Sequence, residues 1–564
     1  MQYKFKFLIF YTLLFVVFSC NNDNVGTISK NGMVSSAHPL ASKVGVDILK
    51  SGGNAFDAAV AVHFALSVVY PNAGNIGGGG FAIYRLENGE IGSLDFREKA
   101  PINSTRDMYL KIDKDGKLEV DDDKSKLGHL AVGVPGAVDG MVKIHERFGL
   151  LKWDELINPS IELAKKGFKI TEKQSKSLNN VKSAFEKVND EIISFHKDGN
   201  WKKDDILIQE DLSKTLERIR KDKRDGFYSG LTADYIIDEM NEGGGIITYE
   251  DLKTYSSIWR KPIVGNYKNH KIISMAPPSS GGIALMQLLY GAELLEVDGY
   301  EHNSLEYINT ITEIESRVYA DRATYLGDAD FHNVPIDDLL DSSYLSERFN
   351  IIKSNIKTPS SEIKEGNINI NESPETTHFS IVDKFGNAVS LTTTINGAYG
   401  SKVVVDKAGF ILNNEMDDFS VKPGHPNMFG LVGGEANAIE PNKRMLSSMT
   451  PTIIEKDNEL FMLVGTPGGS TIITSVFQTI LNVIDFNMGM QEAVDAKKFH
   501  HQWLPDVLVI EKNSFSDNLK DDLKNIGHKL VERQSLGRMD CILVNNYNLE
   551  GGADKRGDNI ALGY

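Results

Sequence analysis

Between Thr377 and Thr394 the chain spells out a β-hairpin, and its register constrains what can lie around it. Phe379 and Ile381 alternate with His378, Ser380 and Val382; Asp383-Lys384-Phe385-Gly386-Asn387 interrupts, and Ala388 to Thr394 resumes the pattern. A three-residue loop, Lys384-Phe385-Gly386 with Gly386 in the left-handed region, pairs 383 with 387 and hence 376 with 394. Upstream, Thr358 to Glu375 is mostly Ser, Glu, Lys, Asn and Pro, with little to bury. Two threonines, Thr376 and Thr394, then face each other on the polar side of a sheet, the first directly after a cleavable segment. Cross-strand threonine pairs are ordinary sheet stabilisers. A threonine nucleophile released by chain cleavage fits the same position.

At 564 residues, the chain has room for two or more domain-sized units. Its net charge of −17 argues against a nucleic-acid partner, which needs basic stripes. Lys4 and Lys6 precede an apolar run, Phe7 to Phe18, too short to span a bilayer comfortably and shaped like a signal peptide. The run ends in Val17-Phe18-Ser19-Cys20, which resembles a bacterial lipoprotein signal with Cys20 as the lipidated first residue, although Val17 stands where Leu is commoner. A plain signal peptide with an incidental cysteine reads the same way. The expectation is an exported lipoprotein of the cell envelope or periplasm, anchored through Cys20, with residues 1–19 removed. Cys541 is the only other cysteine, so no internal disulfide is expected in the mature protein.

Residues 38–70 read as two helices, with Pro39 in a first turn, Gly52-Gly53 as a stop and Asn54 as the next cap. Phe81 to Leu86 and Ile91 to Phe96 flank Asn88-Gly89, a hairpin signal. The run Gly77 to Gly80 lacks the Gly-Lys-Ser/Thr ending of a phosphate loop and precedes a strand, which argues against a nucleotide site. Residues 140–330 read as mainly helical and mixed in charge, with a helix from Ile283 after Pro277-Pro278-Ser279-Ser280-Gly281-Gly282. Ser420 to Gly434 is a Gly/Pro-rich loop. Leu446-Ser447-Ser448-Met449 enters a hairpin ending in the strand Leu460 to Val464, and Gly465 to Ser470 opens a helix from Thr471. Glycine amides at such a start can bind an oxyanion, and a helix-cap role explains them equally well. No metal-ligand spacing is present, no cofactor is implied, and His500-His501 reads as incidental.

Taken in order, Gly52 to Ala59, Gly77 to Phe81, Asp95-Phe96-Arg97-Glu98, Gly133-Val134-Pro135-Gly136, Pro277 to Gly282, Thr376-Thr377-His378, Asn413 to Phe419, Ser447-Ser448-Met449 and Gly465 to Ser470 resemble the γ-glutamyltransferase (glutathione hydrolase) family. Each stretch is weak alone; the ordered set, over about residues 30–564, is specific. The resemblance implies an α+β N-terminal-nucleophile hydrolase fold, a four-layer αββα sandwich. It also implies a precursor that cuts itself between Glu375 and Thr376 into a large subunit, 20–375, and a small catalytic subunit, 376–564, sharing one fold.

The chemistry implied suits the residues. A hydroxyl is a weak nucleophile, and a free α-amine of near-neutral pKa can serve as its base. By resemblance, Thr376 forms a γ-glutamyl ester from glutathione or other small γ-glutamyl compounds, and water or an amino acid or dipeptide acceptor resolves it. Thr394 orients the Thr376 hydroxyl, and Gly468 and Gly469 donate amides to the oxyanion. Arg97 holds the substrate α-carboxylate, with Ser447 and Ser448 on its other side; Asp418 takes the α-ammonium, with Glu415 and Asn396 completing that end. Two positions depart from many relatives. Glu375 replaces Gln or Gly, which implies slower or pH-dependent self-cleavage. Phe429 replaces a lid Tyr and can cover the site without offering a hydroxyl. A related amidase, such as a glutaryl-cephalosporin acylase or a poly-γ-glutamate-processing enzyme, is the enzymatic alternative, and an uncleaved lipoprotein that binds amino acids or peptides is the non-enzymatic one.

Overall fold

The computed structural model describes residues 25–121, 123–366, 377–422, 424–432, 435–545 and 548–564. Two seven-stranded sheets form its centre. The first runs, edge to edge, Ile560–Gly563, Met33–Ser36, Thr377–Val382, Ala388–Thr394, Gly79–Arg85, Ile91–Asp95 and Ile258–Arg260. The second runs Thr27–Ser29, Asn548–Ala553, Asp540–Asn545, Glu459–Val464, Thr452–Lys456, His270–Ser274 and Ile263–Tyr267. Both sheets interleave strands from before and after position 376, so neither part of the chain builds either central sheet by itself.

Four layers follow from which residues each sheet face buries. Between the sheets lie Phe81, Ile83, Ile273, Val382, Ala388, Ile453, Leu463 and Ile542. The outer face of the first sheet, with Phe379, Ile381 and Leu391, packs on a helical layer centred on Ala55–Val69. That helix is buried along its whole length; Asn54 caps it, as its sequence predicts, and Asp57 completes the cap by accepting from the Asn54 amide. The outer face of the second sheet packs on helices Gly281–Leu294, Leu305–Tyr325 and Thr471–Ile484. This is the αββα sandwich expected from the sequence. Among the described residues no helix is long and apolar enough to cross a membrane.

The hairpin has the predicted register. Thr377 pairs with Thr393 and Val382 with Ala388, the Asp383 amide donates to the Asn387 carbonyl, and Gly386 has φ +91°. Its polar side is not solvated, however. All residues of both strands are buried, because the even-numbered ones face the second sheet instead of water. That face is apolar at Val382 and Ala388 and polar towards His378, Thr392 and Thr394. The polar groups satisfy one another there: His378 Nδ1 lies 2.9 Å from Thr392 Oγ1, and Ser380 Oγ donates to the Asp540 carbonyl at 2.9 Å.

Two expectations need correction. Residues 258–274 are strands, not part of a helical region. Ile263–Tyr267 and His270–Ser274 form a tight hairpin at the edge of the second sheet, with Lys268 at φ +49° in the turn. The run of Ile, Val and Tyr around a two-residue turn carried that signal. The helix after Pro277-Pro278 begins at Gly281, two residues earlier than expected: Ser279 Oγ accepts from the Gly281 amide (2.9 Å) at its start, and Gly281 and Gly282 pack against Thr450 and the Met275 carbonyl with no room for a side chain.

Candidate functional site

The glycine run Gly77 to Gly80 exists because backbone must approach backbone. A Cβ on Gly78 would lie 2.0 Å from the Thr394 carbonyl oxygen, and one on Gly79 would lie 2.5 Å from the Phe96 carbonyl and 2.6 Å from Glu98 Oε2. This close packing brings the end of the hairpin strand against the segment that carries Arg97.

Arg97 follows the strand Ile91–Asp95 directly. Its amide donates to Asp95 Oδ1 (2.9 Å) and its carbonyl accepts from the Tyr255 hydroxyl (2.7 Å), which fixes the backbone. The guanidinium is fully buried. It donates from Nε to the Met445 carbonyl (3.2 Å) and from Nη2 to the Leu446 carbonyl (3.1 Å), the two residues before Ser447. Nη1 lies 2.6 Å from Glu415 Oε2 and 3.4 Å from Glu98 Oε2, and Nη2 pairs with Asp418.

Glu415 and Asp418 share a single 3₁₀ turn, Glu415–Asp418; at three residues per turn, i and i+3 project from the same side. Asn413 anchors the turn with four side-chain hydrogen bonds. Its Oδ1 accepts from the Gly133 amide (2.9 Å) and the Glu415 amide (3.0 Å), and its Nδ2 donates to the Gly77 (2.9 Å) and Gly133 (2.8 Å) carbonyls. Asn437 ties the far end to the serine segment, donating to the Asp418 carbonyl (2.6 Å) and accepting from the Leu446 amide (3.1 Å).

Three fully buried carboxylates, those of Glu98, Glu415 and Asp418, thus surround one guanidinium. Burial, reinforced by the Glu415 charge, pushes Glu98 and Asp418 well above the usual carboxylate range. Burial also raises Glu415, with Arg97 opposing it. Burial by itself would lower the Arg97 pKa, but Glu415 and Asp418 more than offset it, so the guanidinium stays charged. A second cation entering this cluster would relieve the excess of negative charge. Asp418 Oδ1 and Asn396 Oδ1, both buried, accept no hydrogen bond from a described residue.

Thr394 joins the cluster to the hairpin. Its Oγ1 donates to Glu415 Oε1 (2.8 Å) and accepts from the Asn396 amide (2.7 Å). Asn396 sits at φ +64°, a region asparagine tolerates, and its Nδ2 donates to the Asn414 carbonyl (2.9 Å).

On the other side of Arg97, both serine oxygens accept from fixed donors. Ser447 Oγ accepts from the Met449 amide (3.2 Å), and Ser448 Oγ accepts from Arg322 Nη2 (2.5 Å). Arg322, buried in the helix Leu305–Tyr325, also donates from Nε to Ser280 Oγ (2.9 Å), which itself donates to the Ser447 carbonyl (2.8 Å). An arginine can only donate, so the Ser448 proton must point away from it.

The loop Gly465 to Ser470 closes the site. Gly468 and Gly469 have φ +145° and +63°, and neither amide donates to another described residue. A Cβ on Gly465 would lie 2.3 Å from His378 Cε1, so this loop packs directly on the start of the hairpin.

The structure therefore gathers Arg97, Glu415, Asp418, Asn396 and Thr394 into one cluster flanked by Ser447 and Ser448, and sets the Gly468-Gly469 loop beside the hairpin start. Glu375, Thr376 and Cys20 lie outside the described residues. Phe429 is half-buried in its loop, its carbonyl 3.5 Å from Gln502 Nε2. His500 and His501 are both buried and structural: Nδ1 of each contacts a hydroxyl, of Thr474 and Ser316 respectively, both at 2.9 Å. Sequence reasoning did not single out Glu98, Asn413, Asn437, Tyr255 or Arg322. The first two stand within recognised motifs, whereas Arg322 sits in a stretch that reads only as mainly helical and mixed in charge.

Comparison with known proteins agrees with this architecture. The family model for gamma-glutamyltranspeptidase matches residues 41–564. The glutathione hydrolase proenzyme of Escherichia coli is 44% identical over 540 residues, covering 95% of this chain and 92% of that one. The crystal structure of Helicobacter pylori gamma-glutamyltranspeptidase matches with a TM-score of 0.56 at 45% identity, covering 59% of this chain and 94% of that one. The cephalosporin acylase of Bacillus halodurans shares the fold across 99% of both chains, with a TM-score of 0.84 at 24% identity. With the family model spanning nearly the whole chain and the glycine, arginine and 3₁₀-turn motifs converging on one buried cluster, this protein belongs to the γ-glutamyltranspeptidase family.

Proposed function

We propose that the chain is a self-cleaving γ-glutamyltransferase and glutathione hydrolase. The observation that carries this reading is the cluster itself: one guanidinium and two serine hydroxyls suited to a carboxylate, beside buried carboxylates in excess, suited to an ammonium. A γ-glutamyl group carries both charges on one carbon. A glutaryl group lacks the ammonium and would leave the surplus carboxylates unmatched.

In the precursor, Thr376 Oγ attacks the Glu375 carbonyl; the C–N bond breaks, freeing the Thr376 amine as an ester forms on Oγ, and water hydrolyses that ester to the Glu375 carboxylate and the free Thr376 hydroxyl. That amine then takes the Thr376 hydroxyl proton as Oγ attacks the substrate γ-carbonyl. Negative charge developing on the carbonyl oxygen is met by the Gly468 and Gly469 amides. The C–N bond breaks, the amine passes the proton to the leaving nitrogen, and a γ-glutamyl ester remains. Water, or the amine of an amino acid or dipeptide, then cleaves the ester and returns a proton to Thr376. Thr394 directs its proton to Glu415 and accepts from the Asn396 amide, which fixes the hydroxyl that orients Thr376. Arg97, Ser447 and Ser448 hold the α-carboxylate, and Asp418, Glu415 and Asn396 hold the α-ammonium.

Cleavage would leave a large piece, 20–375, and a small one, 376–564, of 189 residues (564 − 375). Because both sheets draw strands from both pieces, the product stays one folded unit. Export, removal of residues 1–19 and lipid attachment at Cys20 belong to the same proposal and place the enzyme in the cell envelope. Release of p-nitroaniline from its γ-glutamyl and glutaryl derivatives tests the substrate reading. Turnover of the first and not of the second is expected; preference for the glutaryl compound would overturn it.

A further inference from the structure

A cavity of about 230 Å³ adjoins the Gly468-Gly469 loop, with Pro467, Gly468, Thr471, Arg533, Leu536 and Arg538 among its walls. None of Arg97, Glu415, Asp418, Ser447 or Ser448 lines it, so it is a space distinct from the charged cluster. We propose that this cavity is the subsite for the amine-bearing partner of the reaction, both the dipeptide that leaves and the amino acid or peptide that accepts, held through its terminal carboxylate.

The inference rests on the γ-glutamyl reading and extends it to the other half of the substrate. Cleavage of glutathione breaks the bond between the γ-carbonyl carbon and a nitrogen whose remainder ends in a carboxylate. In transfer the new C–N bond forms at that same carbon, the ester C–O bond breaks, and the amine proton returns to Thr376. The leaving and accepting nitrogens therefore occupy one place, next to the carbonyl whose oxygen points at Gly468 and Gly469. Gly468 is a wall of the cavity, so a chain running out from that nitrogen enters it.

The charge of the walls fits a carboxylate. Among the described residues, the ionisable side chains lining the cavity are Arg533 and Arg538, with no Asp or Glu beside them, in a chain of net charge −17. Arg538 is held in place: its Nη1 donates to the Tyr70 hydroxyl (2.8 Å) and its amide to Thr466 Oγ1 (2.7 Å) on the same loop. Arg533, at the exposed end of the strand Leu530–Arg533, is the more accessible of the two. The volume falls below the ~300–1,000 Å³ of drug-sized pockets, as suits a dipeptide.

The test compares leaving groups and acceptors that differ only in the carboxylate. Arg533→Glu, Arg533→Ala and Arg538→Ala are purified in the two-fragment form. For each, kcat/KM is measured on glutathione and on γ-glutamyl-p-nitroanilide, whose leaving group has no carboxylate, and KM is measured for glycylglycine and glycylglycinamide as acceptors. The glutathione to p-nitroanilide ratio is expected to fall about tenfold in each alanine variant, the scale of one charged hydrogen bond, and further in Arg533→Glu. KM should rise for glycylglycine and not for its amide. An unchanged ratio in Arg533→Glu and Arg538→Ala, or equal effects on the two acceptors, overturns the subsite. If the wild type instead fails to cleave γ-glutamyl-p-nitroanilide, the glutamyl reading falls, a result separable from the ratios.

Discussion

Replacing Arg322 should weaken recognition of the substrate α-carboxylate although Arg322 need not touch it. Arg322 donates to Ser448 Oγ at 2.5 Å and to Ser280 Oγ at 2.9 Å, and Ser280 holds the Ser447 carbonyl. The Ser448 hydroxyl is thereby forced to donate outward. A hydrogen bond from a charged donor is worth about 1.5–3 kcal/mol, and each ~1.4 kcal/mol is a factor of ten. Arg322→Met should therefore lower kcat/KM on γ-glutamyl-p-nitroanilide by about tenfold to about 150-fold. Arg322→Lys should fall between, because one ammonium cannot span two hydroxyls as a fork does. The assay is a double-mutant cycle with Ser448→Ala, repeated on 4-aminobutyryl-p-nitroanilide, which lacks the α-carboxylate. Once Ser448 is gone the Arg322 effect should largely vanish, and it should be small throughout on the second substrate. Equal losses with and without Ser448, or on both substrates, would refute the reasoning.

Other perturbations bear on the same site. Arg97→Ala removes the only cation among three buried carboxylates and should cost about 3–5 kcal/mol in denaturant unfolding, as breaking buried pairs does; the chain should still cut itself, yet lose most turnover. Thr376→Ala should remain one uncut, inactive chain on denaturing gels, and appearance of two fragments would contradict its role. Burial holds His63 at about 4, below its usual 6.5, so the unfolded state binds more protons between these values and stability falls as pH drops through that window. His63→Phe should remove up to about 1.4 kcal/mol per pH unit of that slope, read from urea midpoints at pH 6.5, 5.5 and 4.5; an unchanged slope would show that His63 is not the titrating group.

The sequence revealed most where one local rule decided the outcome. The Lys384-Phe385-Gly386 loop fixed the hairpin register, and Asn54 fixed a helix start. Glu415 and Asp418 were found through a motif, and their shared 3₁₀ turn explains the spacing. What escaped was set by distant packing. The even face of the hairpin reads as the polar side of a sheet, and what covers it, a second sheet from remote sequence, has no local signal. The helix Leu305–Tyr325 mixes Glu, Arg and Asp like a surface helix, yet Glu313, Glu315, Arg317, Asp321 and Arg322 are all buried. Glu313 and Arg317 pair within the helix, but the other charges need partners far along the chain: the Arg348 guanidinium reaches Asp321, and Ser280 and Ser448 meet Arg322. No window of local sequence contains those partners.

The central claim is that peptide-bond scission before Thr376 creates the working nucleophile. N-terminal sequencing of the smaller fragment from active enzyme addresses it directly. The expected sequence is Thr-Thr-His-Phe-Ser, beginning at Thr376, and activity should rise in step with the yield of that fragment. Full activity from a chain still continuous across Glu375 and Thr376 would contradict the account.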